Sequence, residues 1–279
     1  VSAPESTSES SSESPLARIG AALGSKVVSG RQLAGGDLGG AMLVDLADGR
    51  KAVAKQGPLV SVEADMLRAI RQACGRAPDI LFCEGDLLVM DFVESTGRPD
   101  EAGWRDLAEV LGTLHADTGE PFGWQADYVF GPVAILNEAA EDWPAFWAER
   151  RLLCHGEKIS EHLTGRLAKL AEKLPDLLPA TPPSSLLHGD LWGGNVLFGQ
   201  GRLNALIDPA AYRGHREVDV AMLTLFDHPT DAFFEALELE AGWRERLRIY
   251  RLWPLLVHLR LFGTSYRAAI DRELSAFGC

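Results

Sequence analysis

Cysteine is scarce in this chain: Cys74, Cys83, Cys154 and Cys279 are its only four among 279 residues, and no two form a C-x-x-C pair. That spacing excludes a disulfide-stapled scaffold and a structural zinc site, and it suits a reducing compartment, so a cytoplasmic location is expected. Long apolar runs are missing as well. None reaches the roughly 20 residues of a membrane span, and the stretch from Leu252 to Phe262 is broken by Pro254, His258 and Arg260. Positive charge is in deficit: 27 Lys and Arg face 40 Asp and Glu, a net charge of −13. Such a field opposes a nucleic-acid or anionic-membrane partner but allows a local basic pocket. The first residues have neither the basic nor the apolar region of a secretion signal, and residues 1–15, rich in Ser and Glu, read as a disordered tail.

What the chain does have is ordinary for a globular protein, with 46% hydrophobic and 24% charged residues and enough length for two cores. Its most informative segment is His188-Gly189-Asp190-Leu191-Trp192-Gly193-Gly194-Asn195, followed by a hairpin that ends on Asp208. Leu186-Leu187 and Val196 to Phe198 read as short strands, Gly199-Gln200-Gly201 as a turn, and Leu203, Ala205 and Ile207 as one face of a returning strand. Asp190, Asn195 and Asp208 therefore fall at strand ends and in a loop, with Asp208 brought back toward Asn195. A phosphoryl-transfer site needs one carboxylate at the attacking hydroxyl, and an Asn and a second Asp to hold magnesium. Asp, Asn and Gly also populate plain turns for conformational reasons. The three polar residues together favour the catalytic reading, with Asp190 as the catalytic acid–base group, Asn195 and Asp208 as metal ligands, and His188 as a prop for the loop.

Upstream, residues 16–93 read as a small β-rich, nucleotide-binding lobe. Val27-Val28 lead into Gly35-Gly36-Asp37-Leu38-Gly39-Gly40, then a strand from Met42 to Leu46, a turn, and a strand from Lys51 to Lys55. The glycine-rich segment is either a flexible hairpin turn or a phosphate cradle, and its place before a lysine-bearing strand favours the cradle, with Gly35, Gly36 and Asp37 as candidates. Lys51, Val53 and Lys55 share one strand face. Lys55, in the more apolar setting, is the preferred phosphate-binding lysine. A helix from Ser61, read as its N-cap, to about Cys74 carries Glu63, Leu67, Ile70 and Cys74 on one stripe. An acid on an apolar stripe needs a buried partner, and Lys55 is the obvious one. A hairpin over Ile80 to Val93 closes the lobe, and Ser95 to Pro99 read as a linker. Asp91 to Val93, at the crossover, are positioned to hydrogen-bond a nucleotide base through their backbone.

Residues 94–279 read as a larger, mainly helical catalytic and substrate-binding lobe. Helices are expected near residues 104–115, 143–154, 160–178, 217–226, 231–239 and 242–276, with residues 121–137 as a long loop. The fold class is therefore α+β, with a small antiparallel β lobe holding one main helix.

These motifs resemble the fructosamine kinase (ketosamine-3-kinase) family. The resemblance rests on Gly35-Gly36-Asp37, the Glu63-Ala64 helix, the His188 to Asn195 segment with its Leu191-Trp192 pair, Asp208-Pro209-Ala210 and Gly214-His215-Arg216-Glu217-Val218-Asp219, and spans about residues 16–270. It implies a protein-kinase-like two-lobed fold and phosphorylation of the 3-hydroxyl of a small-molecule or protein-bound ketosamine, with ATP and Mg2+ as cofactors. It also implies that Asp219 anchors the catalytic loop and that Trp192 and His215 are substrate-side candidates. Trp192 either stacks on substrate or packs beside the loop. Two other readings stay open at this level: an aminoglycoside- or choline-type phosphotransferase, and a non-catalytic pseudokinase.

Overall fold

The computed structural model of the protein describes residues 14–33, 40–119 and 121–279. The 1–13 part of the expected tail, and Gly35, Gly36 and Asp37, lie outside the described residues. The first element is a helix where the sequence reading has only a β-rich segment. The Ser14 hydroxyl accepts from the Ala17 amide, Pro15 sits in the first turn and Gly24 closes the far end at φ +63°, giving α1 (Pro15–Leu23). There follow β1 (Val27–Gln32), β2 (Met42–Leu46), β3 (Lys51–Gln56), α2 (Val60–Cys74), β4 (Ile80–Glu84) and β5 (Leu87–Asp91). The strands pair antiparallel in the order β1-β2-β3-β5-β4.

Period-two alternation lets β5 bury both its faces. Leu87 and Val89 join Ile19 of α1 with Val44, Ala52 and Ala54 on one side. Leu88 and Met90 join Ala64, Leu67 and Ile70 of α2 on the other, in a core continuous with the rest of the molecule. The alternation on β3 leaves Lys51, Val53 and Lys55 opposite the buried Ala52 and Ala54. Ser61 is not the N-cap of α2: that position belongs to Leu59, with no side-chain cap bond, because the chain enters the helix from the Gly57-Pro58 turn.

The C-terminal part opens with α3 (Glu101–Ala116), capped by the Asp100 carboxylate on the Gly103 amide. The expected loop at 121–137 contains a hairpin, β6 (Tyr128–Phe130) and β7 (Val133–Ile135). Its strands are too short for their alternation to stand out among the flanking glycines and aromatics. Next comes α4 (Trp143–Trp147), which runs into a π-helical turn over Ala148–Leu152 and a 3-10 stretch over Leu153–Lys158. The 160–178 helix divides into α5 (Glu161–Ala171) and α6 (Leu174–Leu177), the latter with Pro175 in its first turn. Short strands β8 (Ser185–Leu186), β9 (Val196–Gly199), β10 (Arg202–Leu206) and β11 (Arg213–Gly214) carry the catalytic-loop region; β9 pairs with β10, and β8 with β11. The chain ends in α7 (Glu217–Phe226), α8 (Asp231–Leu237), α9 (Trp243–Phe262) and α10 (Arg267–Ser275). Gly263 at φ +87° separates α9 from α10, so the continuous helix expected over 242–276 is two.

Candidate active site

The loop from His188 to Asn195 follows β8 and is fastened from behind. Gly189 lies at φ +80°, and a Cβ there would run into the Ala210 carbonyl, so only glycine lets these two segments approach. Asp219, fully buried on α7, accepts from the His188 amide at 2.8 Å and the Gly189 amide at 2.9 Å, and meets His115 Nε2 at 2.9 Å. Burial opposes its charge, but the bond from His115 and the loop amides prevail and hold its pKa below the ordinary value. Asp227, just beyond α7, accepts from the Gly193 amide at 2.7 Å.

His188 is a prop, as its bonding shows. The Asp190 amide donates to its Nδ1 at 3.3 Å, so the ring proton must sit on Nε2, where it is donated to the Ile207 carbonyl at 3.0 Å. Burial lowers its pKa and keeps it neutral. With both nitrogens engaged, it has none left for a substrate proton.

The loop and the β9–β10 hairpin bring three polar groups to one cavity. Asn195 Nδ2 donates to both the Asp190 carbonyl at 2.8 Å and its carboxylate at 2.9 Å. Burial lifts the Asp190 carboxyl to a pKa of about 7; the Asn195 bond works against this, and the nearby Asp208 and Asp219 charges add to it. Asp208 stands at φ +53° immediately before Pro209, a left-handed conformation that a non-glycine residue adopts only at some strain. Lys55 Nζ lies 2.5 Å from Glu63 Oε1 and 2.7 Å from Asp208 Oδ1. Burial disfavours its charge, but the two carboxylates outweigh burial and raise its pKa. The expected Lys55–Glu63 pair is present. The bond to Asp208 was not foreseen, since 153 residues separate the two.

Tyr128 is a site residue that the sequence reading missed. Its hydroxyl donates to Glu63 Oε2 at 3.4 Å, tying the β6–β7 hairpin to α2. No local pattern marks it, because its partner is 65 residues away on another element.

Lys55, Glu63, Tyr128, Asp190, Trp192, Asn195 and Asp208 all line one cavity of about 610 Å³. Trp192 is 36% exposed, and its indole lies so close over Gly194 that a side chain there would collide with it. Asp91 and Val93 do not line this cavity. Asp91 pairs with Ala52, at the far end of β3 from Lys55, which pairs with Leu88.

His215 is not in the lining either. It is buried, with Nδ1 2.8 Å from the Tyr250 hydroxyl, and that hydroxyl accepts from Trp143 Nε1 at 3.0 Å. The Tyr250 hydroxyl keeps its own proton to give, and a neutral His215 can accept it at Nδ1. Burial and then Arg246 depress the His215 pKa to about 3. A histidine depressed in the folded state contributes stability that is lost as pH falls below its unfolded value, here down toward the folded value. Between pH 7.5 and 5 this loss is on the order of 2 kcal/mol. His215→Gln should remove it, so the gap in melting temperature between wild type and variant should narrow as pH falls from about 7.5 to 5. Thermal melts across that range check this, and a gap that stays constant contradicts it.

A small antiparallel sheet with a Lys–Glu pair, set against a loop bearing Asp and Asn and a returning strand bearing Asp, defines a protein-kinase-like phosphotransferase. A family model described as fructosamine kinase matches residues 23–277, and the chain belongs to that family. It is 36% identical over 230 residues to a probable ketoamine kinase of Enterococcus faecium, covering 77% of this chain and 81% of that one. It is 31% identical over 199 residues to a chloroplastic protein-ribulosamine 3-kinase of Arabidopsis thaliana, covering 66% of this chain and 60% of that protein. A solved structure from Thermobifida fusca, provisionally assigned as a fructosamine-3-kinase, superposes with a TM-score of 0.85 at 31% identity over 94% of this chain and 98% of that one. An aminoglycoside phosphotransferase solved with AMP-PNP and hygromycin B shares the fold alone, with a TM-score of 0.67 at 19% identity over 90% of this chain and 95% of that one.

Proposed function

We propose that this protein transfers the γ-phosphoryl group of ATP to the 3-hydroxyl of a ketosamine in the cytoplasm and so promotes deglycation. A phosphate on the carbon beside the sugar carbonyl leaves more readily than a hydroxide, and its loss lets the adduct break down and release the amine. The observation that carries this reading is the convergence of Asp190, Asn195, Asp208 and Lys55 on one cavity.

In this reading Asp190 receives the 3-hydroxyl. Its backbone is fixed through His188 and Asp219, and its carboxylate is oriented by Asn195 Nδ2. A carboxylate with a raised pKa is a better acceptor for the hydroxyl proton than an ordinary one. Lys55, held by Glu63 and through it by Tyr128, neutralises the nucleotide phosphates, with Gly35, Gly36 and Asp37 as the phosphate loop. The backbone of Asp91 and Val93, at the junction of the proposed 16–93 and 94–279 units, takes the base. The β3 register sets Asp91, opposite Ala52, apart from Lys55, opposite Leu88.

The donor set suits magnesium. Among the described residues lining the cavity, Glu63, Asp190 and Asp208 stand against one lysine, an excess of negative charge that a divalent cation would balance. Asn195 and Asp208 would hold the ion through hard oxygen atoms, the amide nitrogen of Asn195 being already committed to Asp190. When bound, magnesium neutralises charge that develops on the transferring phosphoryl group.

Asp208→Asn should raise the half-saturating magnesium concentration for turnover by about tenfold or more, because a neutral amide cannot match a carboxylate opposite a divalent ion. Titrating magnesium in a ketosamine-stimulated ATP turnover assay tests this. An unchanged half-saturating magnesium concentration would remove Asp208 from the ligand set.

A further inference from the structure

The cavity continues past the reacting groups to a wall with a different chemistry. On α9, Trp253, Val257 and Leu261 recur at four-residue spacing, as do Pro254, His258 and Phe262, so two adjacent rows face the cavity. Phe130 from the β6–β7 hairpin, Phe226 from the end of α7 and Tyr266 complete the enclosure. The His258 ring sits 4.9 Å from Phe226, 5.3 Å from Phe262 and 5.0 Å from Tyr266, centroid to centroid. Trp253 is backed by the guanidinium of the fully buried Arg151, 5.1 Å from its ring. Phe262 is 47% exposed, a large apolar ring left uncovered beside the cavity it lines.

This wall holds no acid. Among the described lining residues the only carboxylates are Glu63, Asp190 and Asp208, all at the reacting end. Glu63 and Asp208 are bonded to Lys55, and Asp190 to Asn195. A substrate arm ending in a second ammonium group would meet no carboxylate on this wall to offset its lost hydration, whereas an aromatic or aliphatic arm would exchange water for matching surface.

We propose that the wall formed by Phe130, Phe226, Val257, Phe262 and Tyr266 is the subsite for the amine-derived arm of the ketosamine, and that it selects arms that are uncharged and apolar, aromatic ones above all. This rests on the ketosamine kinase reading and adds to it a substrate preference. The occupant follows from continuity: the sugar must present its hydroxyl to Asp190, and among the described residues the cavity that Asp190 lines runs on along this wall. The charge pattern then sets its chemistry.

The test compares three ribulosamines that share the sugar and differ in the arm, made from methylamine, benzylamine and a diaminobutane. The wild type should show a KM about tenfold lower for the benzylamine adduct than for the methylamine adduct, the scale expected for burying part of a phenyl ring. The diaminobutane adduct should be no better than the methylamine one. Phe262→Ala, at a partly exposed position, should erase most of the benzyl preference, raising the KM for the benzylamine adduct toward that for the methylamine adduct. Phe262→Leu should keep part of the preference, and Tyr266→Ala serves as a second probe of the wall. Equal KM values for all three adducts in the wild type would overturn the subsite while leaving the kinase assignment intact. So would a benzyl preference that survives both alanine variants. Failure to phosphorylate any of the three would instead sink the ketosamine reading, and this inference with it.

Discussion

Asp190→Asn should lower turnover on a ketosamine by about 10²-fold or more, with nucleotide binding intact and the melting temperature unchanged or slightly raised. The catalytic loss follows from the role of the carboxylate: an amide can still accept a hydrogen bond from the hydroxyl but cannot take its proton. Survival of the fold follows from the surroundings. Asp190 is disfavoured as an anion by burial and by Asp208 and Asp219, so a neutral isostere removes a repulsion rather than an attraction. The bond that Asn195 Nδ2 gives to the Asp190 main-chain carbonyl does not depend on that side chain. Turnover within a fewfold of wild type would show that another group handles the hydroxyl, and a steep fall in melting temperature would show that Asp190 holds the loop.

Asp219→Ala should have the opposite signature, a loss of fold stability with activity lost as a consequence. Removing this carboxylate strips acceptors from the His188 and Gly189 amides and from His115, all in the interior. Orphaned buried donors cost about 1–3 kcal/mol each, which together is on the order of 3–5 kcal/mol. That is a large share of the ~5–15 kcal/mol that stabilises a typical domain, and should lower the melting temperature by roughly 10 °C. Asp219→Asn, which keeps one acceptor oxygen, should lie between. Calorimetric melts of the three proteins check this order. An alanine variant that melts with the wild type would mean that the loop is held by other contacts.

The parts of the site readable in the sequence are those built from neighbours along the chain. The segment from His188 to Asn195 and the hairpin to Asp208 span so few residues that turn chemistry and strand period nearly determine their layout. The Lys55–Glu63 pair is readable for a related reason: a period of two fixes the strand face, a helical stripe carries the acid, and only a short turn lies between. Contacts that escape are long-range. Neither Asp208 on Lys55 nor Tyr128 on Glu63 leaves a mark in local pattern, because topology alone unites them. His215 shows the reverse error, as its place in a motif made it a substrate candidate whereas packing puts it behind the site on Tyr250. At the level of fold, α1 carried legible signals in Ser14, Pro15 and Gly24, but its few turns were absorbed into the expected β lobe. In the sequence Trp253, His258 and Tyr266 are open to either a cleft or a core, since helical spacing cannot distinguish a face turned to a cavity from one turned to a neighbouring helix; all three line the cavity.

The most direct test is the position of phosphate on the product. A ribulosamine incubated with ATP and magnesium and followed by phosphorus–proton correlation NMR should show a phosphate coupled to the proton on carbon 3 of the sugar, followed by slow release of the free amine and inorganic phosphate. Phosphate on any other hydroxyl, or a product formed on an aminoglycoside with no reaction on the ketosamine, would contradict the assignment.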